Sequence, residues 1–188
     1  MKIILGSSSK PRQEVLQEAG YVFDVISPDI DEKLIRTENF YDLPLLLAKA
    51  KAEALLEKVK EPALIVTGDQ VVVCNNYLHE KPETKEEAET FFDRYANYPA
   101  ETVSALVVTN TQTGKQVSGI DIARVFFNSI PKNIQEEYIA TGIPFKHAGG
   151  FSPEHEAISS YIKEIQGALD SLKAMPLKLL EELMKKVK

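Results

Sequence analysis

The sequence predicts an α/β fold, on three observations. Apolar runs of strand length alternate along the chain with segments whose apolar residues recur every three or four positions. Turns rich in Gly, Ser and Asn separate them. The chain has 188 residues, 44% hydrophobic and 27% charged, which suits one globular domain able to bury a core. A single domain over 1–188 is expected, of one body or two lobes, with no internal repeat, low-complexity tract or linker.

Lys2 to Leu5 reads as a short buried strand, followed by a polar turn and a helix from about Pro11 to Ala19 closed by Gly20. Val22, Phe23, Val25 and Ile26 suggest a second strand. From Leu43 to Val59, residues Leu47, Ala48, Ala52, Leu55, Leu56 and Val59 share one helical face that should pack on a sheet. Leu64–Val66 and Val71–Val73 are β-branched runs on either side of Gly68 and Asp69. They predict a central strand that passes into a hairpin, with Asn75-Asn76 turning the chain towards Tyr77–Lys81.

Thr84 and Glu87 form a capping-box pattern before Ala88, Phe91, Phe92 and Tyr95 at helical spacing. Two long strands, Thr102–Thr109 and Gln116–Phe127, are joined through a turn at Thr111–Gly114. Pro131 opens a helix ending near Gly142, Ile158–Ile165 reads as a last strand, and Leu180, Leu183, Met184 and Val187 form one face of a final helix.

Composition narrows the function. A net charge of −6 opposes broad attraction to nucleic-acid polymers or anionic membranes, so a phosphate ligand must be held by local groups. Cys74 is the only cysteine, which excludes internal disulfides and C-x-x-C sites and fits a reducing compartment. The opening MKIILGSSSKPR has too short an apolar run for a signal peptide, and no run reaches membrane-spanning length. A cytoplasmic protein is expected.

Four places offer chemistry. Gly6-Ser7-Ser8-Ser9-Lys10-Pro11-Arg12 lies between a strand and a helix, where free backbone N–H groups, the helix dipole, serine hydroxyls and Arg12 can cradle phosphate. Ser9 can equally serve as a helix cap with Pro11 in the first turn. Thr67-Gly68-Asp69-Gln70 sets polar residues between apolar strand runs, making Asp69 either a metal ligand or general base, or the solvated carboxylate of a Gly-Asp turn.

Lys51 falls within the core-facing helical stripe, whereas Lys49, Glu53 and Lys60 project away. An ammonium there needs an anionic partner or must snorkel to the edge. Asp29, Asp31 and Glu32 form an acidic loop able to offer oxygen ligands or simply to stay solvated. Lys81 precedes Pro82 at the end of the hairpin and offers a second ammonium. His79, His147 and His155 lack zinc-ligand spacing, and none is assigned a catalytic role.

Taken in order, GSSSKPRQEVL, DIDEKLIR, LAKAKAEA, TGDQVVV, HEKP, KHAGGF and MPLKLLEELM resemble the Maf family of nucleoside-triphosphate pyrophosphatases over nearly the whole chain. The resemblance places the family's S-x-S-x-x-R motif on Ser7, Ser9 and Arg12, its acidic-loop residue on Glu32, its helical lysine on Lys51, its strand aspartate on Asp69 and its K-P lysine on Lys81. It implies an elongated mixed sheet flanked by helices, two lobes with a central cleft, a divalent cation (Mg²⁺ or Mn²⁺) held by Glu32 and Asp69, a nucleoside triphosphate substrate and a homodimer. Many members carry Pro-Arg or Pro-Trp before the motif arginine, where this chain has Lys10-Pro11. Gln70 and Glu154 resemble the 7-methyl-GTP type rather than the dTTP/UTP type. A carboxylate such as Glu154 can also accept paired hydrogen bonds from a guanine edge.

Overall fold

A computed structural model describes residues Met1–Lys188. Its strands are β1 (Lys2–Gly6), β2 (Asp24–Val25), β3 (Ala63–Cys74), β4 (Tyr77–His79), β5 (Ala100–Asn110), β6 (Gln116–Phe127) and β7 (Ile162–Gln166). Its α-helices are α1 (Lys10–Glu18), α2 (Leu43–Lys58), α3 (Lys85–Tyr95), α4 (Lys132–Ala140), α5 (Glu156–Ser159), α6 (Leu169–Leu172) and α7 (Leu177–Val187). The strands form one sheet in the order β2-β1-β3-β5-β6-β7, with β4 paired to β3. It is mixed, as expected: β1 runs parallel to β2 and β3, whereas β3–β4 and β6–β7 are antiparallel. No helix is long and apolar enough to cross a membrane.

The chain divides into two compact units. The first comprises Met1–Gln70, Ser104–Asp121 and Leu169–Lys188, the second Val71–Val103 and Ile122–Ala168. The first unit has three layers, and the period-two alternation of strand side chains builds them. Ile4, Ala63 and Ile65 pack with Leu55 and Val59 of the α2 side, and Ala105 and Val107 pack with Ala48 and Ala52. Their neighbours Leu5, Leu64, Val66, Leu106 and Val108 face the other way, against Val15 and Leu16 of α1 and Leu180, Leu183 and Val187 of the α7 side. Each fully buried Leu or Val here contributes about 1.5–3 kcal/mol.

Aromatic rings fill the second unit. Tyr95 stacks on Phe127 at 5.5 Å between centroids and meets Phe151 edge-on at 5.6 Å, while Phe92 meets Tyr138 edge-on at 5.9 Å. At α3 the Thr84 hydroxyl accepts from Glu87 N–H at 3.2 Å, as the capping-box pattern predicts, whereas the Glu87 carboxylate accepts at 2.7 Å from the N–H of Glu83, one residue before the cap. Asn75 and Asn76 turn the β3–β4 hairpin at φ 49° and 62°. His79 is a core histidine whose Nδ1 lies 2.9 Å from the Tyr95 hydroxyl. Burial, with the Arg94 charge beside it, pulls its pKa down to about 3. The free Cys74 is buried, and its thiol is pushed up to about 11.

Two sequence expectations change. The second strand shrinks to Asp24–Val25, because Val22 is 90% exposed and has no layer to enter. The strand read over Ile158–Ile165 begins at Ile162 instead. Ile158 belongs to α5, where His155 accepts a capping hydrogen bond from Ala157 N–H at 3.3 Å, and its side chain is fully buried. Of the two readings of Thr67–Gln70 the turn does not form, and β3 runs unbroken through Gly68 and Asp69. A Cβ at Gly68 would stand 2.8 Å from the Ala105 carbonyl oxygen, so glycine lets the strand continue closely against β5.

Candidate active site

The continuity of β3 decides where Asp69 goes. Ala63, Ile65, Thr67 and Asp69 follow one another on the α2 face, and the Thr67 hydroxyl donates to the Ala48 carbonyl at 2.7 Å. Asp69 is 8% exposed and is no solvated turn carboxylate. Its Oδ1 accepts from Lys51 Nζ at 2.6 Å, and Lys51 is itself 5% exposed within the buried stripe of α2. The same ammonium lies 2.9 Å from Glu32 Oε1. One cation therefore bridges two carboxylates, one buried and one half-exposed.

Arg12 adds a second buried cation. Its Nη1 donates to Ser7 Oγ at 3.1 Å and its Nε to the Ala174 carbonyl at 3.0 Å. Burial pulls the guanidinium below its usual pKa, opposed by the charges of Asp69 and Glu32. Ser7 Oγ also accepts from Ser9 N–H at 3.2 Å, which fixes the turn ahead of α1. Ser9 occupies the N-cap position without a side-chain cap bond. A pocket of about 260 Å³ opens here, lined by Gly6, Ser7, Ser8, Glu32 and Lys51, with Ser27, Pro28, Asp29 and Ile30 completing its wall.

Burial raises the pKa of Asp69 above the ordinary 3.8, with Lys51 and then Arg12 pulling it back and Glu32 adding to the rise. The folded state then holds the Asp69 proton more tightly than the unfolded chain. The resulting stability is complete below the unfolded pKa and is lost as pH rises through the folded one. In carboxyl-carbon NMR, the resonance that disappears in Asp69→Asn is expected to titrate above 3.8, and to move further up in Lys51→Met. A midpoint at or below 3.8 would contradict this placement.

Of the acidic loop, only Glu32 reaches Lys51. Asp29 pairs with Lys58 at 2.7 Å, and Asp31 accepts from Lys33 N–H at 3.1 Å. Gln70, one residue on from Asp69, turns to the opposite face of β3, where its Nε2 donates to Ser104 Oγ and to the Ser171 carbonyl, both at 2.8 Å. Lys81 and Glu154 belong to the second unit and are exposed there; burial, and then the charges of Lys81 and Lys146, depress the pKa of His147. No group of three or more His, Cys, Asp or Glu gathers as a metal cluster. Sequence reasoning missed the carbonyls of Ser171 and Ala174, because backbone acceptors leave no residue-type signature.

A lysine-bridged carboxylate pair thus stands beside a serine-rich turn at a helix N-terminus in an α/β protein. A family model described as Maf-like protein matches residues 2–187, and the chain belongs to that family. It is similar to the 7-methyl-GTP pyrophosphatase of Dictyostelium discoideum, with 38% identity over 192 residues covering 98% of this chain and 96% of the relative. The 7-methyl-GTP pyrophosphatase of Idiomarina loihiensis is 32% identical, covering 86% and 82%. The dTTP/UTP pyrophosphatase of Geotalea uraniireducens is 31% identical, covering 93% and 89%.

Proposed function

We propose that this protein is a nucleoside-triphosphate pyrophosphatase that converts its substrate to a nucleoside monophosphate and pyrophosphate. The observation that carries the reading is the Lys51 ammonium held between Asp69 and Glu32 beside the Ser7–Arg12 turn. Water attacks the α-phosphorus and the bond to the oxygen bridging the α- and β-phosphorus breaks. That oxygen leaves with pyrophosphate, and the water proton passes to a carboxylate. Asp69, with its raised pKa, is suited to take that proton. Arg12 and Lys51 neutralise phosphate oxygens as charge builds on the leaving group.

The donor set suits a divalent cation. Arg12 and Lys51 carry two positive charges that only match the two negative charges of Glu32 and Asp69, so an entering triphosphate brings charge without a counterpart. Glu32 and Asp69 are hard oxygen donors that already converge on one cationic position. They are the residues that would hold Mg²⁺ or Mn²⁺. Such an ion, when bound, supplies Lewis-acid polarisation of phosphoryl oxygens.

The preferred substrate in this reading is 7-methyl-GTP, supported by the family resemblance at Gln70 and Glu154 and by the names of two relatives, with a dTTP/UTP/CTP enzyme as the alternative. The reading also makes the protein a cytoplasmic homodimer that clears unwanted nucleotides. Its single thiol supports a reducing compartment, and the family resemblance supports the dimer.

The test is a panel of canonical, methylated and deaminated nucleoside triphosphates incubated with Mg²⁺ or Mn²⁺ and assayed for monophosphate and pyrophosphate. 7-methyl-GTP is expected to be turned over fastest. If the wild-type protein forms no more product than Asp69→Asn while still binding nucleotide, it is a nucleotide-binding regulator instead.

A further inference from the structure

The segment from Leu169 to Leu177 has no part in the chemistry above, yet its backbone holds two of the candidate residues. The Ala174 carbonyl accepts from Arg12 Nε at 3.0 Å, and the Ser171 carbonyl accepts from Gln70 Nε2 at 2.8 Å and from the Ser104 hydroxyl at 3.2 Å. With Ser7 Oγ on Nη1, the Ala174 carbonyl fixes a second edge of the planar guanidinium. Ala174 has φ 62°, a left-handed conformation unfavourable for a residue with a Cβ, which persists only where its surroundings enforce it.

Asp170 supplies that enforcement. Its carbonyl accepts from Lys173 N–H at 3.2 Å and from Met175 N–H at 3.0 Å, bracketing Ala174. Its carboxylate Oδ2 accepts from Leu177 N–H at 3.1 Å, at the first residue of α7. The other carboxylate oxygen, Oδ1, is buried without a hydrogen-bond partner. An unsatisfied buried oxygen is unfavourable, and here it accompanies the closing of the turn.

We propose that Asp170 is a positioning residue: by closing the Leu169–Leu177 turn it sets the Ala174 and Ser171 carbonyls that aim Arg12 and Gln70. This rests on the reading of Arg12 as a phosphate-binding cation. Asp170→Ala removes the side-chain bond to α7, whereas Asp170→Asn keeps an oxygen for Leu177 N–H.

Steady-state kinetics on the best nucleotide of the panel, with inorganic pyrophosphate as inhibitor, test it. Asp170→Ala is expected to raise KM and the pyrophosphate inhibition constant by roughly tenfold each, in line with the cost of a misplaced binding group, and Asp170→Asn to stay within about twofold of wild type. In an Arg12→Lys background, which lacks the Nε–H that Ala174 accepts, Asp170→Ala should add no more than about twofold, because the two changes then act on one network.

Unchanged KM and inhibition in Asp170→Ala, even with a lowered melting temperature, overturn the proposal, as does full multiplication of effects in the double variant. Should Asp170→Ala not fold, Ala174→Val decides the matter in the same way, since a β-branched residue resists the left-handed conformation. If wild type hydrolyses nothing in the panel, the pyrophosphatase reading fails by itself. The positioning claim is then decided by calorimetric pyrophosphate binding to the same variants, and absence of binding by wild type overturns both.

Discussion

Asp69→Asn is expected to lower kcat/KM for the best nucleotide by at least about 10³-fold, the combined loss of a proton acceptor and a cation ligand, while nucleotide still binds within roughly tenfold of wild type. The asparagine matches the carboxylate in size and can still accept from Lys51 Nζ, so the 2.6 Å contact has a neutral substitute and β3 keeps its packing. Kinetics and calorimetric nucleotide binding on the same preparations check both halves. Turnover within tenfold of wild type would shift the proton-accepting role to Glu32, the other carboxylate on the same ammonium.

Lys51→Met has the next largest effect, and it acts on folding as well as on turnover. The Lys51 side chain is 6% exposed and that of Asp69 12%, so the variant leaves a buried carboxylate without its nearest cation. The Glu32 partner is 52% exposed and contributes little after solvent screening. Unfolding free energy should fall by about 3 kcal/mol, and kcat/KM by roughly 10²-fold or more. Lys49, two residues earlier and exposed, provides the control: Lys49→Met should stay within about 0.5 kcal/mol and leave turnover unchanged. Urea unfolding and steady-state kinetics measure both, and equal, small effects would mark Lys51 as an ordinary surface lysine.

The layers of the first unit were legible because their signals are periodic. The α2 stripe and the apolar face of α7 each repeat a physical requirement over several turns, and each lies where that repeat puts it. Lys51 could be singled out for the same reason, as a charge inside an apolar stripe. Elements without a period were less legible. Val22 carries a strand-forming side chain but no layer covers it, and Ile158 is buried through a helical turn too short to show a repeat.

The candidate site divides along the same line. Residue type and spacing pointed to the Gly6–Arg12 turn, the acidic loop, Lys51 and Asp69, and the family resemblance to Glu32 within that loop; the fold draws Ser7, Arg12, Glu32, Lys51 and Asp69 together in the first unit. They did not show that Asp29 would be drawn off by Lys58, which depends on where a loop lands beside the end of α2. Nor did they show that the Arg12 guanidinium would rest on a carbonyl 162 positions along the chain, since every residue carries the same carbonyl.

Asp69 and Gln70 are adjacent in β3 yet answer to different layers, one to α2 and the other to the turn before α7. Side chains on the Ser104–Ser171 side can therefore be remodelled with the lysine–carboxylate bridge left standing, and the reverse holds too. Inserting a single residue ahead of Thr67 would move Asp69 into the place of Gln70, facing the serines, and leave Gly68 opposite the lysine.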